Sequence, residues 1–342
     1  MISSLPEDVG LTTAEAGESA AWIAGLQTDS GAIPWEASRH VDTWNHVEAA
    51  MGLDAGGLHD AAARAYEWLR TSQRRDGSWF AGYRGGNACD RSVDVNFCGY
   101  VAAGVWHHYL STRDCDFLSR LWPCVEAAVG FVLSQQAADG TVNWAIDRKG
   151  TPWPQALLSS CSSIFMSIGS ALAISSVLGR ERLAWESGLR KLGQAIRERP
   201  DNFLPKERYS MDWYYPVLVG ALDAKESQGR IESGWDTFVV EGLGVRCVAD
   251  RPWVTVAETC ELVIALTTLG WHGEAARLFE WTRELRCPSG AYWTGVTIEE
   301  RTPWPVEKTT WTAGAVLLAS GALSGDSAVA ALFRSRNPAQ DP

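Results

Sequence analysis

Six acidic residues lie close to aromatic residues at well-separated points of the chain. They are Asp42, Glu48, Asp94, Asp212, Glu258 and Glu307. Two carboxyl groups that face one another can act as general acid and general base in hydrolysis, and flat indole rings suit the C–H faces of a sugar ring. Indole rings would equally attract a carbocation. The aromatic residues alone therefore do not separate a glycoside hydrolase from a terpene cyclase.

Asp42 and Glu258 are predicted to be the catalytic pair. Asp42 precedes Trp44 and Asn45, which suit sugar hydroxyls, and Glu258 follows an Arg-Pro-Trp segment. We predict that Glu258 is the general acid and Asp42 the general base of an inverting reaction, with carboxyl groups about 6.5–9.5 Å apart. Each has a structural alternative, because Asp42 could be a helix N-cap and the segment from Thr255 to Glu258 spells a capping box.

The other candidates near these acids are predicted to bind the hydroxyl groups and ring faces of a substrate. They are Trp44, Asn45, Glu48, Asp94, Asn96, Asp212, Trp213, Tyr214, Trp253, Trp304, Glu307 and Trp311. Asp94, Asp212 and Glu307 are also secondary candidates for catalysis, and each could instead cap a helix.

A repeated pattern indicates the elements that position these residues. Segments 27–35, 73–79 and 136–144 each carry Gln, then Gly four residues later, then Trp, and segment 286–293 keeps the Gly and Trp but has Arg in place of Gln. Each follows an apolar pattern at helical spacing, so the Gly is predicted to mark a helix end. A second, more apolar helix is predicted to begin near Asp42, Asp94, Ser160, Asp212, Thr255 and Glu307.

Six helix pairs predict an all-α fold, a single (α/α)6 barrel over residues 1–342. The repeats run from about residue 14 to residue 323, and a short flexible C-terminal tail follows. A helix pair that cannot bury its own apolar face needs neighbours, and six in sequence can close into a ring. The more apolar second helices would lie inside, so that their N-termini and the Trp-rich loops gather at one mouth. That mouth is the predicted site.

The helix–Q-x-x-x-G-x-W–helix pattern resembles the prenyltransferase and squalene-cyclase repeat superfamily over these repeats. The resemblance implies a fold more strongly than a chemistry. The segments YSMDWYYPVL, RPWVTVAETCEL and TPWPVEKTTWTAG look more like the lining of a sugar cleft. The whole chain is similar to actinobacterial prenyltransferase-like proteins and, among these, to hydrolases of methylated mannose polysaccharides.

The motifs of isoprenoid chemistry are missing. The chain contains neither the D-x-D-D of class II terpene cyclases nor the D-D-x-x-D that holds magnesium diphosphate. Zinc, as in the protein prenyltransferase β subunits, would require Asp42, His46 and Cys260 to converge, and no ligand spacing supports that site. We therefore predict no metal and no cofactor.

Composition restricts partners and location. With 30 Lys and Arg against 41 Asp and Glu, the net charge of −11 argues against nucleic acid as a partner. The first residues lack the pattern of a signal peptide and the eight Cys form no C-x-x-C pair, so we expect a cytoplasmic protein with free thiols. The uncharged stretch 151–179 contains two prolines and eight serines, which favours a buried helix over a membrane partner. The sequence also allows a homo-oligomer.

The sequence as a whole favours a glycoside hydrolase that acts on an intracellular bacterial oligo- or polysaccharide, and the resemblance implies a methylated mannan. Two alternatives remain from the residues alone. One is an isoprenoid cyclase or prenyltransferase-like enzyme, and the other is a non-catalytic glycan-binding barrel.

Overall fold

The computed structural model describes residues 9–333 and is dominated by helices, which confirms the helical class predicted from the sequence. The helices are α1 (Thr13–Leu26), α2 (Thr43–Ala55), α3 (His59–Ser72), α4 (Val95–Thr112), α5 (Cys115–Ser134), α6 (Leu158–Val177), α7 (Leu183–Glu198), α8 (Ser210–Leu218), α9 (Ala224–Phe238), α10 (Val256–Thr268), α11 (His272–Thr282), α12 (Thr310–Ser324) and α13 (Ser327–Phe333).

The even-numbered helices pack against one another in a closed order. Helix α2 packs against α4, α4 against α6, α6 against α8, α8 against α10, α10 against α12, and α12 returns to α2. These helices are buried nearly all round, as in residues 256–266 of α10, every one of which is buried. The odd-numbered helices α1 to α11 pack against them with one face, as where α7 buries Leu192 and Ile196 and exposes Arg190 and Lys191.

Side chains cap three of the six inner helices at their first turn. Asp42 caps α2, Asp94 caps α4 and Thr309 caps α12, each by accepting hydrogen bonds from backbone N–H groups of the first turn. Helix α12 therefore begins at Thr310. The prediction that this helix starts near Glu307 is wrong by three residues, because Glu307 lies in the preceding loop.

Short strands order the loops that lead into the inner helices. They are β1 (Gly82–Arg84), β2 (Asn87–Asp90), β3 (Val93–Asp94), β4 (Ala145–Ile146), β5 (Val239–Val240), β6 (Gly244–Val245), β7 (Trp253–Thr255) and β8 (Gly295–Thr297). Strands β5, β6, β7 and β8 form one antiparallel sheet in that order, β1 pairs with β2, and β3 pairs with β4. The β3–β4 pair joins the loop before α4 to the loop before α6.

The repeated Gln-x-x-x-Gly pattern joins successive outer helices. The Gln73 side-chain amide donates to the carbonyl of Gly77 at 3.0 Å and to that of Cys124 in α5 at 2.9 Å. The same two bonds recur at Gln27 and Gln136. Helix α3 ends at Ser72, directly before the Gln, so the prediction that the Gly marks the helix end is corrected: Gly77 closes the turn that follows.

The chain beyond residue 323 begins with ordered structure. Helix α13 packs against α4, α10 and α12 and buries Val329, Leu332 and Phe333. The first part of the predicted flexible tail is therefore helical, because these apolar side chains cover the end of the inner helices. The rest of that tail, residues 334–342, lies outside the described residues, as do residues 1–8.

Two helices, α5 and α6, are long and apolar enough to cross a membrane, and α12 with α13 would qualify together as a bent pair. The apolar window of α6 is 78% buried inside the protein and that of α5 is 56% buried. Their apolar residues therefore pack against other helices, as predicted for the uncharged stretch that contains α6.

Candidate functional site

A cavity of about 320 Å³ opens where the N-terminal ends of the inner helices meet. Five residues predicted from the sequence line it, namely Trp44, Asn45, Asp94, Asn96 and Trp311. The other lining residues are Trp35, Phe97, Trp144, Leu157, Ser159, Ser160, Met211 and Tyr215. The lining combines aromatic faces with a few amide, hydroxyl and carboxyl groups, a combination that suits a sugar.

Stacked aromatic rings form one side of this cavity. The ring of Trp44 lies 4.1 Å from that of Tyr100, centroid to centroid, and 6.0 Å from that of Tyr215. Behind these rings, the Tyr100 hydroxyl donates to Glu48 and the Tyr215 hydroxyl donates to Glu261 at 3.0 Å. Tyr215 is therefore held by its own hydrogen bond, and Trp44 stacks on a Tyr100 ring that is held in the same way.

Burial governs the charge of these two glutamates. It raises the pKa of Glu48 to about 7, although the Tyr100 hydroxyl opposes the shift. Burial, and next the nearby Glu48 carboxyl, raise the pKa of Glu261 well above its usual range. Two such neighbours do not both ionise at neutral pH. Glu48, which was predicted to bind substrate, is 2% exposed and does not line the cavity, so its contact is with Tyr100.

Asp42 is buried and hydrogen-bonded to neighbouring groups. Its Oδ1 accepts the backbone N–H of Asn45 at 2.9 Å and its Oδ2 accepts the Asn45 side-chain amide at 2.5 Å. His40 Nε2 lies 3.4 Å from the same Oδ2. The N-cap alternative is thus realised. Asp42 does not itself line the cavity, but Asn45, to which it is hydrogen-bonded, does.

Glu258 is not used as a cap. Thr255 makes no side-chain capping bond, whereas the same signature at Thr12 and Glu15 forms a complete capping box on α1. Glu258 is 3% exposed, and its Oε2 has no hydrogen-bond partner among residues 9–333. A buried carboxyl oxygen without a partner is costly. Glu258 does not line the cavity, and two residues that do, Asn96 and Trp311, also have a buried polar atom (Oδ1 and Nε1) without a hydrogen-bond partner among residues 9–333.

Asp94 is the carboxyl group that lines the cavity directly. Its Oδ1 accepts the backbone N–H groups of Asn96 and Phe97, and its Oδ2 accepts the indole N–H of Trp144 at 3.0 Å. Burial raises the pKa of Asp94 to about 6, and the Asp42 carboxylate contributes to the shift. The two aspartates are therefore close enough to interact electrostatically.

Three candidates on α8 lie away from the cavity surface. Asp212 accepts the backbone N–H of Ser159 at 3.3 Å, and burial raises its pKa. Trp213 packs outward: its ring stacks 5.2 Å from that of Phe238 and its indole N–H donates to the carbonyl of Arg230 in α9. Its predicted place in the pocket is corrected to the α8–α9 contact. The Tyr214 hydroxyl donates to Glu261.

The last candidates lie on loops outside the cavity. Trp253 and Trp304 are neighbours, with ring centroids 6.3 Å apart, and Trp304 is 47% exposed. Glu307 accepts the indole N–H of Trp35 at 3.3 Å. These loops border the site without lining the cavity.

Sequence reasoning missed Tyr100, Tyr215 and Glu261. Glu261 lies three residues after Glu258, so both are on the same face of α10. A second acid inside the apolar run ETCELVIAL was the signal that could have identified it. Within residues 9–333, no group of three or more His, Cys, Asp or Glu side chains could hold a metal ion.

Comparisons with known proteins place these features in context. No family model matches the chain. It is 46% identical over 324 residues to the MMP endo-(1,4)-3-O-methyl-alpha-D-mannosidase of Mycolicibacterium hassiacum, which covers 95% of this chain and 90% of that protein. A solved glycosidase matches with a TM-score of 0.71 at 16% identity, over 92% of this chain and 99% of that one. A D-mannose isomerase matches with a TM-score of 0.71 at 11% identity, over 91% and 96%. The identities of 16% and 11% to these two solved structures support a common fold alone.

Proposed function

The chain belongs to the family of the MMP endo-(1,4)-3-O-methyl-alpha-D-mannosidase and is a glycoside hydrolase, and on that basis we propose that it cleaves α-(1,4) bonds within a mannose chain methylated at O3. The predicted glycosidase activity is confirmed by the 46% identity over nearly the whole chain. The methylated mannan that the resemblance implied becomes the proposed substrate.

We propose that the helices form one (α/α)6 barrel that unfolds as a single domain. The closed packing order from α2 through α12 and back to α2 supports this proposal, with one outer helix for each inner helix. We also place the enzyme in the cytoplasm. The eight cysteines, all within the described residues, are free thiols, which suits a reducing compartment.

We assign the chemistry to Glu258 and Asp42. Protonated Glu258 gives its proton to the glycosidic oxygen as the bond from that oxygen to the anomeric carbon breaks. Asp42 takes a proton from the water that attacks the anomeric carbon from the opposite face. An α linkage then yields a β hemiacetal, and the two carboxyl groups should stand about 6.5–9.5 Å apart across the sugar.

One observation carries the assignment of the acid. Glu258 is buried in the first turn of inner helix α10, outside the cavity lining, and one of its oxygens has no hydrogen-bond partner in the described chain, although its sequence signature would have allowed a capping box. Asp42 suits the base, because its carboxyl group is held by the backbone N–H and side-chain amide of Asn45, which lines the cavity. Asp94 is the rival acid, since it lines the cavity with a pKa of about 6.

The test replaces each carboxyl group by its amide. Glu258→Gln and Asp42→Asn should each lower kcat by about 100-fold or more, because general acid and base catalysis contribute roughly that much. An α-(1,4)-linked oligosaccharide of 3-O-methylmannose is the substrate, and mass spectrometry of the products measures turnover.

Matched controls separate chemistry from folding. Glu15→Gln changes the glutamate of a genuine capping box, and Asp114→Asn changes the N-cap of α5, whose Oδ1 accepts two backbone N–H groups. Both controls should keep wild-type kcat. Full activity in Glu258→Gln and Asp42→Asn would move the chemistry to Asp94, Asp212 or Glu307. Binding without cleavage by the wild type would instead indicate a glycan-binding barrel.

A further inference from the structure

Trp153 is an exposed indole at the rim of the cavity. It is 43% exposed, and among the tryptophans of the described residues only Trp153 and Trp304 are exposed. It lies on the segment between β4 and α6, two residues before Gln155. Exposed apolar area of this kind costs free energy in water, so its retention at a mouth points to a ligand.

The segment that carries Trp153 is fixed by backbone hydrogen bonds. The Trp153 N–H donates to the carbonyl of Ala145 at 2.8 Å, and the Trp144 N–H donates to that of Gln155 at 2.8 Å. At the tip, the Asp147 carboxylate accepts the backbone N–H of Lys149 at 2.8 Å. The indole is therefore held in place before any ligand arrives, which lowers the entropic cost of binding.

Trp153 continues the aromatic surface of the cavity. Its ring contacts that of Trp144 edge-on, with centroids 5.0 Å apart. Trp144 lines the cavity, and its indole N–H is fixed by Asp94. Deeper inside, the Phe97 ring lies 6.3 Å from that of Trp44. Trp153 thus adjoins the cavity through the ring of Trp144.

We propose that Trp153 is an outer binding subsite for a methylated sugar unit of the same chain whose bond is cut inside the cavity. The proposal rests on the proposed function, because an enzyme that cuts within a chain must hold units beyond the cleaved bond. A sugar with an O-methyl group has more apolar surface than a free sugar and carries no charge. Such a unit suits an exposed indole face.

The experiment varies the chain length of the substrate. Trp153→Ala should lower kcat/KM by about 2–10-fold for oligosaccharides long enough to leave the cavity and reach the rim, as expected for one aromatic contact. The shortest oligosaccharide that is cleaved should be unaffected. Trp153→Phe, which keeps an aromatic face, should recover part of the loss on long chains.

The control is Leu183→Ala, which removes an exposed apolar side chain (69% exposed) from the outer helix α7 and should change neither substrate class. An equal loss on short and long chains, or no loss on either, would overturn the outer subsite while leaving hydrolysis intact. If the wild type cleaves no chain, the proposed function fails. Calorimetry of the long oligosaccharide binding to the wild type and to Trp153→Ala then tests the outer subsite. The subsite is rejected if the variant binds as tightly as the wild type or if neither protein binds.

Discussion

Asp54 lies among three histidines at the end of α2 that is remote from the mouth. Its Oδ1 lies 3.0 Å from His59 Nδ1 and 2.9 Å from His108 Nδ1, and its Oδ2 lies 3.9 Å from His107 Nδ1. Burial alone would raise the pKa of Asp54, but the hydrogen bonds to the histidines outweigh it and hold the pKa well below its usual range. The same bond to Asp54 raises the pKa of His59.

These shifts give the stability of the protein a defined pH dependence. A carboxyl group with a lowered folded-state pKa stabilises the fold above its ordinary pKa of 3.8, and that contribution is lost as the pH falls below this value. His59, whose folded-state pKa is raised, stabilises the fold below its ordinary pKa of 6.5, and that contribution is lost as the pH rises above this value. Both contributions depend on the charge of one buried carboxylate.

We expect Asp54→Asn to lower the free energy of unfolding by about 3 kcal/mol near pH 6, because it removes one member of a buried charged cluster. The variant should also lose less stability than the wild type between pH 5 and pH 3. Urea unfolding at several pH values measures both effects. Asp114→Asn, at an exposed cap, should change the free energy of unfolding little and keep the wild-type pH profile, because Asn caps a helix about as well as Asp. An unchanged profile in Asp54→Asn would contradict the account.

The position of a candidate residue at the cavity could be predicted from the sequence where one local signal sufficed. Trp44, Asn45 and Asp94 follow from their place at inner helix starts, and all three line the cavity. Trp213 was misplaced. A residue in the first turn of an inner helix points either into the mouth or toward the outer helix, depending on how the helix is rotated about its axis, and the sequence does not show that rotation. Glu48 was misplaced because its partner is 52 residues away in another helix.

At the scale of elements, the Gln-x-x-x-Gly turns determine how closely the outer helices approach. Gly77 has φ of +87°, and a Cβ there would lie 2.2 Å from the carbonyl oxygen of Ala127 in α5. Gly290 makes the corresponding approach to Glu18 in α1, with a Cβ distance of 2.5 Å. The turn at Gly77 therefore joins α3 to α5, and the turn at Gly290 joins the segment after α11 to α1.

We expect Gly77→Ala to lower the free energy of unfolding by about 3 kcal/mol, because it combines a strained φ with a backbone clash. Gln73→Ala should cost about 1–2 kcal/mol through the loss of two hydrogen bonds to carbonyl groups. Chemical denaturation measures both changes. Gly130→Ala in α5 is the matched control, since a Cβ there meets nothing within 4 Å. A loss at Gly130 as large as that at Gly77 would refute the role of the turn.

These helices could be predicted because the same turn residues recur at the same spacing in the sequence. Gln, Gly and Trp at fixed spacing are local signals, so the alternation of outer and inner helices could be predicted without tertiary information, whereas α13 was not predicted. The sheet of β5 to β8 could not be read, since its strands are two or three residues long and pair across loops. The start of α12 was placed too early because Glu307 resembles a cap in sequence, while Thr309 makes the capping bond.

At the scale of the whole molecule, the return of α12 to α2 brings loops from distant parts of the chain to one mouth. Trp35 and Trp311 illustrate the effect, with ring centroids 5.9 Å apart although they lie near opposite ends of the sequence. The general position of the mouth follows from helix order. Its floor, in which Tyr100 and Tyr215 are held by Glu48 and Glu261, depends on packing between four helices and required the structure.

The proton NMR spectrum of the first product tests the central claim most directly. The purified protein is mixed with an α-(1,4)-linked oligosaccharide of 3-O-methylmannose, and the anomeric signals are followed before mutarotation. Cleavage by Glu258 as acid and Asp42 as base across an intervening water predicts that the new reducing end appears first as the β anomer. A first-formed α anomer would make one carboxylate a nucleophile and contradict the inverting assignment. Binding of the oligosaccharide with no new reducing end would contradict the proposed cleavage itself.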